Sequence, residues 1–155
     1  MTQPTPSKVR VVRYSGAFTA FSRGITPVNP YRWVPKHPLD IEWWWIDATA
    51  FCSDIGDVLG SFASPASVFF TGGDGAMSIL ATAKSPNNLE AGVRFIGGTP
   101  GVDYTVTVIM NGSLGADTKA IDIILPCLGD LPLDTSTPWI ADFSNSNNSG
   151  AYYYL

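Results

Sequence analysis

The fold is decided by residues 97–125, which read GGTPGVDYTVTVIMNGSLGADTKAIDIIL. In the first half, residues 103–110, every second side chain is large and apolar, and residues 117–125 repeat this pattern. Side chains in a strand point alternately to opposite faces, so each half can bury one face and expose the other. The Asn111-Gly112 pair between the halves tolerates the positive φ angles of a tight reversal. The stretch therefore predicts an antiparallel β-hairpin.

Further strand candidates precede the hairpin and are separated by turns. They lie at residues 39–51, 58–63, 67–71, 76–83 and 89–96. The separators are rich in Gly, Pro, Asn, Asp and Ser, which favour turns. No segment shows a sustained 3.6-residue period, so helix should be scarce. With the hairpin, the chain therefore has about seven short strands at the spacing of a β-sandwich, and an all-β fold is predicted.

Composition and length suit this class. The 155 residues are enough for one domain with extensions, and 45% are hydrophobic while only 14% are charged. This balance favours a β protein with surface that does not face water. No run approaches the roughly 20 apolar residues of a membrane span, and the N-terminus lacks a signal-peptide core. We therefore expect a soluble protein that is made in the cytoplasm and does not enter a membrane.

Two irregular extensions flank the predicted sandwich at residues 39–126. Residues 1–38 are rich in proline and aromatic side chains, with a strand candidate at residues 8–14. Residues 127–155 are irregular and end in three tyrosines and a leucine. Proline at this density prevents helix and favours extended backbone. Extended segments with large apolar groups usually pack on something else, either their own domain or a neighbouring subunit.

Charge is divided unevenly along the chain. Residues 1–38 contain six basic and no acidic residues (+6), whereas residues 39–155 contain three basic and thirteen acidic ones (−10), which sums to −4. A basic arm on an acidic body can dock onto acidic neighbours, including copies of itself; a solvated tail is the alternative. Binding to nucleic acid is not expected, because the arm has no dense Lys/Arg cluster and the body is acidic.

No catalytic, cofactor-binding or metal site is predicted. The single histidine, His37, has no partner residues of a catalytic or zinc-binding kind nearby in sequence. The glycine-rich loop at residues 72–75 is followed by no GK[ST], so a turn is favoured over a phosphate-binding loop. Asp54 and Asp57 lack the alternating oxygen ligands of a calcium loop, and a solvated turn is favoured there.

The cysteines and the tryptophan run each leave two interpretations open. Cys52 and Cys127 are favoured as buried free thiols, with a single disulfide as the alternative. Residues 43–45 are three consecutive tryptophans within a strand candidate, so Trp43 and Trp45 share a face opposite Trp44. A core or interface role is favoured over stacking on carbohydrate.

Three segments together carry a family resemblance: residues 35–47 (PKHPLDIEWWWID), 54–61 (DIGDVLGS) and 97–106 (GGTPGVDYTV). They resemble the phage fibre-tail adaptor family, small Ig-like β-sandwich proteins of tailed-phage virions. The third is the most distinctive and is similar to the family's Gly-Gly-Thr-Ala-Gly-x-x-Tyr-x-Val signature. The match covers roughly residues 35–125 and leaves both extensions outside. His37 stands where the family has an acidic residue, and residues 111–115 replace a basic turn with a neutral one.

The resemblance implies an Ig-like sandwich that has a structural, non-enzymatic role. We expect an adaptor in the virion tail or neck that joins tail or neck proteins to fibres or to adjacent subunits, and that forms a ring-like homo-oligomer. A carbohydrate-binding or adhesin-like module and a capsid decoration protein are the alternatives. The predicted interface residues are Arg10, Arg13, Tyr31, Trp33, Tyr152, Tyr153 and Tyr154.

Overall fold

The computed structural model describes residues 3–15 and 31–129, which form two β-sheets and one short helix. The elements are β1 (Val11–Arg13), β2 (Glu42–Asp47), α1 (Thr49–Ile55), β3 (Val68–Gly72), β4 (Met77–Lys84), β5 (Glu90–Gly97), β6 (Asp103–Asn111) and β7 (Thr118–Pro126). One sheet has the order β1-β2-β5-β4 and the other β3-β6-β7. Lettered A to G, the strands follow the ABED and CFG order of a constant-type immunoglobulin domain, although β1 pairs with β2 in parallel. The predicted all-β, Ig-like sandwich is confirmed.

The hairpin has the predicted pairing and faces. Strands β6 and β7 pair antiparallel from Asp103 opposite Pro126 to Asn111 opposite Thr118. The alternate apolar side chains of both strands are buried in one core: Tyr104, Val106, Val108, Met110, Ile121, Ile123 and Leu125. Burying a large aliphatic side chain is worth about 1.5–3 kcal/mol, so these residues are a main source of the sandwich's stability.

The strand prediction for residues 39–51 and 58–63 was wrong in part. Strand β2 ends at Asp47, whose carboxylate accepts hydrogen bonds from the N–H (3.0 Å) and the hydroxyl (2.6 Å) of Thr49. Such local bonds compete with strand pairing, and α1 begins there. Residues 58–63 form no strand, because Leu59 donates its N–H to Asn88 in the β4–β5 turn and Gly60 donates to Asn111 at the end of β6.

The seventh strand is β1, from the predicted basic arm. It pairs with β2 in parallel, with Val11 opposite Trp45 and Arg13 opposite Asp47. The sandwich is therefore antiparallel except along this one edge. The remaining pairs, β2–β5, β4–β5, β3–β6 and β6–β7, are all antiparallel.

Residues 31–36 also belong to the sandwich, where they run beside β7. Arg32 and Lys36 form parallel bridges to Ile124 and Cys127. The Lys36 side chain is fully buried, and its ammonium donates to the carbonyls of Gly97 (2.8 Å) and His37 (3.0 Å). Burial lowers the pKa of Lys36, and the carbonyl oxygens solvate its charge. This contact ties the segment to the turn after β5.

A tyrosine corner joins the β3–β4 turn to the β5–β6 turn. The Tyr104 hydroxyl accepts a hydrogen bond from the Thr99 N–H (2.8 Å) and donates to the Asp74 carboxylate. The ring lies against Gly73, where an added Cβ would come within 2.4 Å of it. The glycine-rich loop predicted as a turn is thus a turn, and Gly73 is required by the close approach of the tyrosine. A tyrosine at this place is a hallmark of Ig-like domains.

Replacing Asp74 by Asn tests this corner through its pH dependence. Hydrogen bonds from Thr99, Tyr104 and Ala76 hold the pKa of Asp74 at about 2, below the ordinary 3.8. Because the folded-state pKa is the lower one, Asp74 contributes stability fully above about pH 4 and loses it as the pH falls toward 2. In urea unfolding, we expect Asp74→Asn to be less stable than the parent near neutral pH and the difference to shrink in acid.

The control for this experiment is Asp54→Asn. Asp54 is exposed on α1 and makes no hydrogen bond or ion pair with a described residue. It should unfold like the parent at every pH. A difference between Asp74→Asn and the parent that stays constant from neutral pH into acid would contradict the prediction.

Candidate interaction surface

The two predicted interface arginines hold β1 against β2. The Arg10 guanidinium pairs with Glu42 at 2.8 Å and donates from Nε to the Trp43 carbonyl at 2.8 Å. Arg13 pairs with Asp47 at 3.4 Å, and 72% of its side chain is exposed. Both residues therefore have partners within the sandwich, and Arg13 also remains accessible.

The predicted interface aromatics Tyr31 and Trp33 lie in the core of the chain itself. Tyr31 stacks on Tyr14 with ring centroids 6.1 Å apart, and Trp33 meets Phe95 edge-on at 5.7 Å. Both side chains are buried, so they leave almost no surface for a partner. The other three, residues 152–154, lie outside the described residues.

The three consecutive tryptophans point to opposite sides of the sheet, as their alternation predicted. Trp44 is 1% exposed and belongs to the core between the sheets, where it meets Phe95 at 6.1 Å. Trp43 and Trp45 lie on the outer face, with ring centroids 6.0 Å apart. Trp45 is 0% exposed although it is not part of the core cluster. Its burial therefore takes place on the outer side of the sheet.

The outer side of the β1-β2-β5-β4 sheet forms what we call the tryptophan face. Strand register places its members in adjacent rows: Val11, Trp43, Trp45, Gly92, Arg94, Ala81 and Ala83. An antiparallel sheet commonly presents polar side chains to water on its outer side. Here two indoles, small residues and Arg94 occupy the middle of the face, and the same register places the charged residues Arg13, Asp47 and Glu90 at one end of it. Tryptophan and arginine are enriched in protein interfaces.

The outer side of the other sheet is different. Thr71 and Thr107 hydroxyls lie 3.1 Å apart, and Thr107 donates to the Asp122 carboxylate at 2.7 Å. These three side chains form a polar ladder across β3, β6 and β7. The aromatic outer surface is thus a property of the four-stranded sheet and not of the sandwich as a whole.

A glycine makes the position of Trp45 feasible. Gly92 stands directly opposite Trp45 in the β2–β5 pair. A Cβ built on Gly92 would lie 2.8 Å from Cζ3 of the indole, so the ring rests on the bare backbone of β5. Sequence analysis did not single out Gly92; a glycine inside a strand is the signal that points to such a close approach.

Two hydrogen-bond donors on this face have no acceptor. Trp45 Nε1 and Arg94 Nε are buried, and neither has a partner among the described residues. The two residues are diagonal neighbours, because Trp45 pairs with Gly92 and Arg94 lies two positions further along β5. Leaving a buried polar group unpaired costs about 1–3 kcal/mol, and such groups are rare in folded proteins. Both atoms are shielded from solvent by their neighbours within the subunit.

A second exposed feature lies at the end of the sandwich where the loops meet. The Asp57 carboxylate accepts hydrogen bonds from the Ser113 hydroxyl and the Leu114 N–H (3.0 Å), and these bonds lower the pKa of Asp57. The Leu114 side chain is 85% exposed, and we call the turn at residues 112–115 that carries it the Leu114 tip. Asp57 lies in the predicted turn, where its carboxylate clamps the β6–β7 turn to the loop after α1, whereas Asp54 lies on the exposed side of the helix.

The described residues also include histidine, cysteine and carboxylate side chains, the types that support catalysis or metal binding. In residues 3–15 and 31–129, no three His, Cys, Asp or Glu side chains come together as a metal site. Cys52 and Cys127 are buried thiols that are not joined in a disulfide, which agrees with the favoured interpretation. Burial raises the pKa of the Cys52 thiol and keeps it in the protonated, unreactive form. Across the same ranges, no helix is long and apolar enough to cross a membrane.

Comparisons with protein-family models, curated proteins and solved structures each returned no match. The resemblance to the phage adaptor family thus rests on residues 35–47, 54–61 and 97–106. The structure gives parts of all three segments structural roles. They supply the buried Lys36 and β2, the Asp57 clamp, and the tyrosine corner.

Substituting Gly92 by Ala tests the packing of Trp45. We expect a loss of about 1–3 kcal/mol in the free energy of unfolding, because the new methyl group overlaps the indole and the ring must shift. Urea unfolding followed by tryptophan fluorescence measures this loss. The matched control is Ala120→Val on the exposed side of β7, which should change stability by less than about 0.5 kcal/mol. Equal effects of the two substitutions would contradict the placement of Trp45.

Substituting Asp57 by Ala tests the clamp on the Leu114 tip. Without the carboxylate, the Ser113 hydroxyl and the Leu114 N–H lose their acceptor, so the turn at residues 112–115 should open more often. We expect faster amide hydrogen exchange in this turn and unchanged exchange in β6 and β7. Asp117→Ala in the same turn region is the control. Unchanged exchange at Leu114 would show that the clamp does not order the tip.

Proposed function

We propose that this chain is a non-catalytic structural protein of a tailed-phage virion, an adaptor that joins tail or neck proteins to fibres or to adjacent subunits. The observation that carries the assembly role is the tryptophan face, where the side chains of Trp43 and Arg94 lie side by side on the outer side of the sheet and are both partly exposed. The location in a virion follows from the resemblance of residues 35–125.

An adaptor needs at least two contact surfaces on one rigid body, and the described residues offer two. The tryptophan face lies on one flank of the sandwich, and the Leu114 tip lies at its loop end. Tryptophan and arginine are enriched among the residues that dominate binding energy in protein interfaces. Trp43 and Arg94, which are both partly exposed, are therefore the best candidates for energetic anchors.

Both surfaces are ordered before any partner binds. Trp45 is held between Gly92 and Trp43, and the Leu114 tip is held by Asp57. Binding at an ordered surface costs less conformational entropy than binding that must first fix loops and side chains. This rigidity favours a structural connector that transmits geometry from one neighbour to another.

The carbohydrate-binding alternative gains no support from the tryptophan run. A sugar stacks on an exposed aromatic ring, whereas Trp44 and Trp45 are 1% and 0% exposed. Trp43 alone keeps part of its ring accessible. A capsid decoration protein would use the same surfaces at another place in the particle, and locating the chain in the particle distinguishes the two.

Incorporation into particles tests the proposal. In phage carrying the parent gene, we expect the chain in purified particles, with a tag placed at the tail or neck by electron microscopy. The variant Trp43→Ala/Arg94→Ala should reduce incorporation by about tenfold or more, because it removes an anchor and a charged donor. The control, Thr71→Ala/Thr107→Ala, alters the outer side of the other sheet and should incorporate normally. Circular dichroism checks that both variants fold.

Two results would overturn the proposal. Purified particles that lack the chain would exclude a virion role. Glycan binding that disappears with Trp43→Ala, in a chain that never enters particles, would establish the carbohydrate-binding alternative instead.

A further inference from the structure

We infer that residues 131–143 bind the apolar end of their own sandwich and cover it. The apolar end is the end of the sandwich where β2 and β6 begin and where β5 and β7 finish, opposite the Leu114 tip. Four large hydrophobic side chains are exposed there: Val34, Leu39, Ile41 and Leu128. This contact lies within one chain, so it does not depend on the virion role.

Hydrogen bonds gather the segments that carry these side chains. Leu128 donates its N–H to the Lys36 carbonyl at 2.8 Å. The Lys36 ammonium donates to the carbonyl of Gly97, the last residue of β5, at 2.8 Å. Residues 34–41 and 127–129 therefore share one end of the sandwich. Single exposed apolar side chains are ordinary, whereas a group of them marks a contact site.

The chain continues directly from this surface. A Cβ built on Gly129 would lie 3.6 Å from the Cα of Gly101 in the β5–β6 turn. Residues 131–143 begin two positions further on and span at most about 43–47 Å when extended. Strands lie about 4.8 Å apart and packed sheets about 10 Å apart, so an end of three and four strands measures about 20 Å across. The segment is long enough to cross the whole end.

The segment has the chemistry that an apolar surface requires. Residues 131–143 read LPLDTSTPWIADF, and their large apolar side chains are Leu131, Leu133, Trp139, Ile140 and Phe143. The two prolines disfavour helix and favour an extended backbone, which can lie across the ends of several strands. Residues 144–150 (SNSNNSG) carry no large apolar side chain, so the matching chemistry ends at Phe143.

Covalent attachment favours the chain's own segment over a second copy. A segment tethered a few residues from its site acts there at a millimolar effective concentration. A second copy competes only when the protein itself approaches that concentration. Burial of the exposed apolar side chains supplies the driving force for both, so the tether decides between them.

The other segment outside the described residues begins and ends elsewhere. Residues 16–30 follow Ser15, whose N–H donates to the Tyr31 hydroxyl at 3.3 Å, so their two flanks lie close together. Tyr31 stacks on Tyr14, which meets Phe51 of α1 with ring centroids 6.4 Å apart. These flanks therefore lie near α1, which is at the opposite end of the sandwich from residues 127–129.

Hydroxyl-radical footprinting of the full chain tests the cover directly, because the radical labels a side chain according to its exposure to water. Leu39 and Leu114 form a matched pair: the same side chain, 82% and 85% exposed on the sandwich, at opposite ends. We expect Leu39 to be labelled several-fold more slowly than Leu114, because only Leu39 is covered by residues 131–143. Equal labelling of the two leucines would overturn the inference.

A substitution within the segment identifies the cover. Trp139→Ala should raise the labelling of Leu39 toward that of Leu114 and leave Leu114 unchanged. The matched control is Tyr153→Ala, which removes an aromatic ring from outside residues 131–143 and should leave Leu39 slowly labelled. An unchanged Leu39 in Trp139→Ala, or an equal rise in Tyr153→Ala, would show that another segment covers the apolar end.

Photo-cross-linking separates the chain's own segment from that of a second copy. A photoreactive phenylalanine analogue replaces Leu39 in chain of light nitrogen isotope, which is mixed with equal heavy-isotope chain and irradiated. We expect cross-links from position 39 to residues 131–143 of the same light chain. Cross-links that join light to heavy chain would assign the cover to a second copy and overturn the inference, as would cross-links to other residues only.

The two proposals can fail separately. Footprinting and cross-linking use the isolated chain, whereas the adaptor role is measured in purified particles. A fully labelled Leu39 in a chain that enters particles would overturn this inference alone. A covered Leu39 in a chain that never enters particles would overturn the adaptor role alone.

Discussion

The antiparallel pairing of β2 with β5 is the constraint on which the rest of the molecule depends. It places Trp45 opposite Gly92, where no side chain larger than hydrogen leaves room for the indole. A shift of one residue would turn Trp44 out of the core and Trp45 into it, because strand faces alternate with a period of two. The close contact of Trp45 with the bare backbone at Gly92 therefore fixes both the register and the orientation of the tryptophan run.

The same strand holds the flanking segments in place. Trp33 Nε1 donates to the Trp45 carbonyl at 2.8 Å, and Trp44 Nε1 donates to the Val34 carbonyl at 3.3 Å. Through these bonds residues 31–36 are joined to β2 in one sheet and to β7 in the other. With Arg10 paired to Glu42, β2 is the element where the basic N-terminal segments meet the acidic body. Part of the charge difference between the basic N-terminal segment and the acidic body is therefore neutralised by an ion pair within one subunit.

The two outer surfaces of the sandwich explain why an assembly role is the best proposal. A polar ladder of Thr71, Thr107 and Asp122 satisfies its own hydrogen bonds and needs only water beyond it. The tryptophan face instead leaves an indole, Trp43, and the side chain of Arg94 partly exposed beside each other. Tryptophan and arginine are among the residues that contribute most to binding energy in protein interfaces. Because of this difference, we expect partners to dock on the tryptophan face and not on the outer side of the β3-β6-β7 sheet.

The sequence by itself determined the hairpin, the strand alternation of the tryptophans and the all-β class, because a period of two is local information. It could not predict that residues 58–63 bond to the β4–β5 turn and to the end of β6, that Asp57 clamps a turn 56 residues away, or that Tyr31 and Trp33 are buried in the core. These outcomes depend on which segments become neighbours after folding. Only the tertiary structure decided that Trp45 and Arg94 share one outer face with unpaired donors, since strand pairing, and not chain order, brought them together.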